Sequence, residues 1–215
     1  MAARRWEKLA DQLRPLSGEF LWFGIKQAWA CLFGAAMLLA LLLSHVYYPD
    51  IALSRYDFLF CYALFIQIAL LTLKLESLRE FGVVILFHLM ATIMELFKTA
   101  DQIGSWSYPE DSLIRIMNVP LFAGFLYSAV GSYMARSWRV FYLRFESFPP
   151  LPAAGIIALL AYLNFFTHHF WVDIRYALLI AIFLLFRKTR VYYRVLTQER
   201  QMPLLLGFLE NRVAR

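Results

Sequence analysis

Within one long apolar run, His88, Thr92, Glu95 and Thr99 follow each other at intervals of four, three and four residues, the spacing that sets side chains on one face of an α-helix. An ionisable group in hydrocarbon costs at least about 2.5 kcal/mol on insertion scales, so a glutamate and a histidine there are functional candidates. A second group lies downstream: Asn164 and His168 are four apart, as are His169 and Asp173. Two imidazoles and two carboxylates arriving from separate helices suit Zn, Mn or Fe. Glu95, His168, His169 and Asp173 are therefore the candidate metal ligands and the candidate catalytic groups, with Glu95 as general acid and the histidines moving protons. The spacing contains no His-Glu-x-x-His zinc motif, and a haem held between His88 and His168 is not the expectation. Trp106, Tyr108 and Glu110, in a polar stretch that also holds Asp101 and Asp111, could roof a pocket. With His88 and Asn164 they form the candidate substrate-binding set. A plainer reading stands beside this one: Glu95 pairs with Lys98, His88 bonds a neighbouring helix, and Trp106 and Tyr108 anchor at a membrane interface.

The elements that must position these residues are apolar. Hydrophobic residues make up 61% of the 215 positions and the mean hydropathy is +0.59, well above the roughly 45–50% apolar usage of soluble domains. A helix needs about 20 residues to cross a hydrocarbon core about 30 Å thick. Six stretches qualify or nearly so: Phe20 to Ser44, Phe58 to Leu73, Phe81 to Phe97, Val119 to Met134, Ala153 to Phe170, and Val172 or Ile174 to Phe186. The expected fold is all-α, a single membrane domain built as a polytopic helical bundle of about six spans. Residues 1–19 form a basic N-terminus, 20–186 the bundle, and 187–215 a basic tail that could begin a seventh span.

The net charge is +6, and its distribution argues for lipid rather than nucleic acid. Arg4, Arg5, Lys8 and Arg14 precede the first span; Lys74 and Arg79, then Arg136, Arg139 and Arg144, occupy alternate loops; a basic run from Arg187 ends the chain. That alternation is the positive-inside pattern, which places both termini in the cytoplasm of a bacterial inner membrane and Glu95 near the outer surface. No nucleic-acid-binding motif is present, and no cleavable signal sequence is expected. Cys31 and Cys61 lie in apolar runs and read as small packed hydrophobes. Glu76 and Glu80, beside Lys74 and Arg79, read as solvated surface. Gln67 is expected to hydrogen-bond across helices, and Gly124, Ser128, Gly131 and Ser132 to give their span a face for close helix contact.

Longer motifs resemble a known family. Phe23-Gly24-Ile25-Lys26-Gln27-Ala28-Trp29-Ala30-Cys31-Leu32-Phe33-Gly34, Met94-Glu95-Leu96-Phe97-Lys98, Ser105-Trp106-Ser107-Tyr108-Pro109-Glu110, Val119-Pro120-Leu121-Phe122-Ala123-Gly124-Phe125 and Tyr162-Leu163-Asn164-Phe165-Phe166-Thr167-His168-His169 resemble the bacterial membrane proteins of domain of unknown function family 817. The resemblance implies a membrane protein without an assigned activity, and a further span beyond Met202-Pro203-Leu204. A shorter likeness, in Glu95, Gly104-Ser105-Trp106, Tyr108 and Val119-Pro120, is to bacterial carotenoid hydratases and small lycopene cyclases, which protonate polyenes. Three function classes remain in view: a polar pocket on an otherwise uncharacterised membrane protein, an enzyme acting on a lipid or isoprenoid, and an ion or small-solute transporter.

Overall fold

A computed structural model describes residues 18–195 and 199–203. The basic N-terminal cluster and the end of the tail lie outside the described residues. The chain is mostly helical, and it divides into two compact units, Lys26–Val140 and a second made from the residues before it together with those from Phe141 onward.

In the Lys26–Val140 unit, α1 (Gly18–Ala30), which begins before the unit, meets α2 (Leu32–Val46) at a bend of 65°. The predicted first span is thus a broken pair. Helix α3 (Arg55–Thr72) starts at Ser54, whose hydroxyl accepts from the Asp57 amide, and α4 (Leu78–Lys98) starts with a full capping box between Ser77 and Glu80. Both satisfy amides that an α-helix otherwise leaves bare. Helix α5 (Phe122–Phe141) follows a short ladder of β1 (Arg115–Ile116) and β2 (Val119–Pro120). It runs further than the predicted Val119–Met134 span because Arg136 and Arg139 lie inside the helix rather than in a loop.

Helix α5 lies close against α4 through its small residues. A Cβ on Gly124 would sit 2.5 Å from His88 Nδ1, and one on Gly131 would sit 2.7 Å from the Phe87 ring. Ser128 donates to the Val84 carbonyl at 3.0 Å. This is the close helix contact the small-residue face predicts. The apolar core beside it joins Phe33, Met37, Ala63, Leu70 and Phe125.

The second unit contains α6 (Leu151–Thr167) and α7 (Arg175–Phe186). It also contains an antiparallel sheet of β3 (Arg144–Glu146), β4 (Arg190–Arg194) and β5 (Glu199–Pro203) in the order β3-β4-β5. The all-α expectation is corrected here. The tail was expected as a basic segment that could begin a seventh span, yet Arg190-Val191-Tyr192-Tyr193-Arg194 carries the β-branched and aromatic residues that fit a pleated surface, and Val191 is buried.

Helices α3 and α4 are each long and apolar enough to cross a membrane, and the bent α1–α2 pair is a third candidate; α6 and α7 are apolar but shorter, at 17 and 12 residues. Cys31 and Cys61 are exposed rather than packed inside; Cys31 sits at the break between α1 and α2, and Cys61 on an outward face of α3.

Candidate functional site

The C-terminal end of α4 holds the site, and the loop from Thr99 to Leu121 builds it. Glu95 is only 1% exposed. Its Oε2 accepts from the Trp106 indole N–H and the Tyr108 hydroxyl, both at 2.8 Å, and its Oε1 accepts from the Tyr127 hydroxyl on α5 at 2.8 Å. An indole N–H can only donate, so the geometry uses this carboxyl as an acceptor. Charge-assisted bonds of this kind are about twice as strong as neutral ones, and here they tie the loop and α5 to α4. Burial pushes the Tyr108 hydroxyl up from its ordinary value, and its bond to the Glu95 carboxylate pushes it further the same way. Tyr108 therefore stays protonated and keeps donating.

Trp106 and Tyr108 also line a cleft of about 460 Å³, together with Thr99, Asp101, Arg115 and Asn118. That volume is in the range of small-ligand sites. Asn118 donates to the Thr99 carbonyl at 3.3 Å, which holds the far wall to the end of α4.

A second carboxylate anchors the same loop from α3. Asp57, 1% exposed, accepts from Ser112 Oγ at 2.6 Å, from the amides of Leu113 and Ile114 at 2.9 Å each, and from Ser54 Oγ at 2.8 Å. Sequence reasoning missed it, although Ser54 followed three residues later by Asp57 is a helix-start signature. Glu110, predicted to bind substrate with Trp106 and Tyr108, instead grips Arg55 Nε at 2.8 Å in a fork-to-fork pair. Tyr127 was missed as well.

The remaining predicted residues have other contacts. His88 stacks on Phe125, with ring centroids 4.4 Å apart, against Gly124. Asn164, His168, His169 and Asp173 belong to the second unit, where Asn164 Oδ1 accepts from the Ile174 amide at 3.0 Å and its Nδ2 donates to Asp173 Oδ1 at 3.1 Å. Asp173 also accepts from the Arg175 amide and pairs with its guanidinium. The Asn164 amide, then the Arg175 amide, hold its carboxyl below the usual carboxylate range. His168 and His169 stack with centroids 4.1 Å apart. Among the described residues, no three His, Cys, Asp or Glu side chains gather as a metal site.

Glu76 and Glu80, expected in solvent, are buried. Glu76 faces Arg136 and takes a hydrogen bond from Gln67, while Glu80 pairs with Arg139 Nε at 2.9 Å. Their partners lie on α5, which the sequence reading had ended too early to supply them. Gln67 thus bonds to the turn after its own helix.

No solved structure matches this chain. It is 39% identical over 187 residues, 87% of its length and 70% of the relative's, to uncharacterized protein YoaT of Bacillus subtilis (strain 168). Residues 19–212 match the model of the family described as protein of unknown function (DUF817), so the stretch that builds α1 to α7, the Glu95 clamp and the cleft above it is that of a DUF817 protein, the family to which this chain belongs.

Proposed function

We propose that the chain is a multi-pass protein of the bacterial inner membrane, with about six spans and both termini in the cytoplasm. At its outer face, the cleft over Glu95 binds a small polar ligand. The observation that carries the binding reading is the Glu95 clamp: a buried carboxylate on a helix long enough to span the bilayer fixes the two aromatic walls of a cleft. Asp101 and Arg115 offer both signs of charge and Asn118 adds an amide, which suits a zwitterionic or polyhydroxy compound better than an acyl chain.

The membrane reading is supported by an inverted distribution of side chains. On α4, Leu86, Leu89 and Ile93 are each more than half exposed while Glu95 and Thr92 are buried. On α3, Phe65 and Ile68 face outward while Gln67 and Asp57 face inward. In water that arrangement would be unfavourable, since burying apolar surface stabilises a fold by about 25 cal/mol per Å². In hydrocarbon it is the favourable one.

Both parts can be tested. In a Cys31→Ala, Cys61→Ala background, a cysteine introduced by Ser107→Cys should react with a membrane-impermeant maleimide on intact spheroplasts; reaction only after permeabilisation would put the cleft on the other side. A thermal-shift screen of polar metabolites against detergent-purified protein should find a stabilising compound whose effect is lost in Asn118→Ala and Trp106→Ala. A screen in which no polar compound shifts the wild type would remove the binding reading.

A further inference from the structure

The opposite end of the Lys26–Val140 unit holds a second polar cluster, and it is independent of the proposed cleft. Glu76, in the turn between α3 and α4, is 4% exposed, Gln67 on α3 is 2% exposed, and Arg136 on α5 is 0% exposed. We propose that this Gln67–Glu76–Arg136 knot is an internal proton-binding site, in which water bridges Gln67 to the Arg136 guanidinium and exchanges a proton with the Glu76 carboxyl.

The argument starts from what each group needs. A fully buried guanidinium has five N–H donors to satisfy, and taking such a cation out of water costs several kcal/mol unless it is paired and hydrogen-bonded. Arg136 gives one bond, from Nη1 to the Trp29 carbonyl at 3.3 Å. Its Nη2 lies 3.9 Å from Glu76 Oε1, close enough to attract and too far for a hydrogen bond. Its Nε and Nη2 are buried without a hydrogen-bond partner, and so is Gln67 Oε1. Two donors and one acceptor without partners therefore flank a single carboxylate. Water is the ligand that meets both needs, accepting from the guanidinium and donating to the amide oxygen. Buried waters make about three such bonds to otherwise unsatisfied groups.

The carboxylate at the centre is held loosely for an ion. Oε2 takes the Gln67 amide, and Oε1 has Ser132 Oγ at a long 3.5 Å. The charged and titratable groups around it are Arg136 and Arg139 on α5 and Glu80 on α4. Arg139 is already paired with Glu80, which leaves Arg136 as the cation facing Glu76. Burial pushes the Glu76 carboxyl up from its ordinary value; the Gln67 bond and Arg136 pull it down, and Glu80 adds to the rise. When Glu76 takes a proton it becomes a donor, and the Gln67 side chain can turn its orphan oxygen to receive that bond.

Infrared spectroscopy of the full-length protein in lipid tests this. A carboxylic C=O band should grow as pH falls, beginning at a higher pH than an ordinary carboxylate would show. It should shift in D₂O, because water reaches the group, and vanish in Glu76→Gln. Glu76→Asp, which keeps a carboxyl and guards against misfolding of the amide variant, should move the band without abolishing it. A band unchanged in both variants, no titrating band in the wild type, or a band insensitive to D₂O would each overturn the proposal and leave Glu76 and Arg136 as a structural ion pair.

Discussion

Asp57 shows how one side chain can organise a segment that has little secondary structure of its own. It satisfies two backbone amides and two hydroxyls, and a buried donor left without its acceptor costs about 1–3 kcal/mol. Asp57→Ala should therefore destabilise the protein by at least about 3 kcal/mol, read as a shift in the midpoint of denaturant unfolding in detergent. Gly124→Ala should also destabilise, because the new methyl would meet the His88 ring at 2.5 Å and overpacking costs about 1–3 kcal/mol. His88→Ala in the same protein should recover part of that loss, which a double-mutant cycle measures. The pH dependences at Asp173 and Glu76 have opposite signs. Asp173 is held low in the folded state, so its contribution is present above the unfolded carboxylate value and is lost as pH falls through the folded one. Glu76 is held high, so its contribution is full below the unfolded value and is lost as pH rises through the folded one. Thermal unfolding of wild type against Glu76→Gln across that interval should show wild type losing stability relative to the variant as pH rises.

At the scale of elements, composition made the helices legible and hid their ends. The expected Phe81–Phe97 span lies inside α4, which starts three residues earlier at the Ser77 capping box and ends one residue later; the continuous apolar run marked the helix, and the polar first turn fell outside it. The end of α5 was misread because Arg136 and Arg139 look like loop residues until Glu76 and Glu80 are seen to be their partners. Such pairs span some sixty residues of sequence, and no local pattern announces them. The strand β4 was hidden in the same way by its flanking arginines. Glu95 with Trp106 and Tyr108 could be read as neighbours because they lie close in sequence; Asp57 with Leu113 and Ile114 could not. The start of α4 gives a direct test. Ser77→Ala removes one half of the capping box and should cost about 1 kcal/mol, measured by denaturant titration, with Ser77→Asp restoring most of it.

At the scale of the whole molecule, the Lys26–Val140 unit closes on itself. Lys26 Nζ donates to the Val140 carbonyl at 3.1 Å, Tyr133 donates to Gln27 at 2.9 Å, and Arg136 reaches Trp29, so its first helix and its last are tied together. A fragment that ends at Val140 should therefore insert and remain monodisperse in detergent, with helical circular dichroism; aggregation of that fragment would show that the unit depends on the residues after it. The anchoring of the loop over the cleft has a bearing on how such proteins can diversify. Asp57 and Glu95 grip the segment, whereas Asp101 and Arg115 line the cleft and belong to neither grip. Exchanging these two leaves the grips intact, so selection can alter the cleft lining without first buying back foldedness. Relatives are expected to keep the two acidic anchors and to vary Asp101 and Arg115.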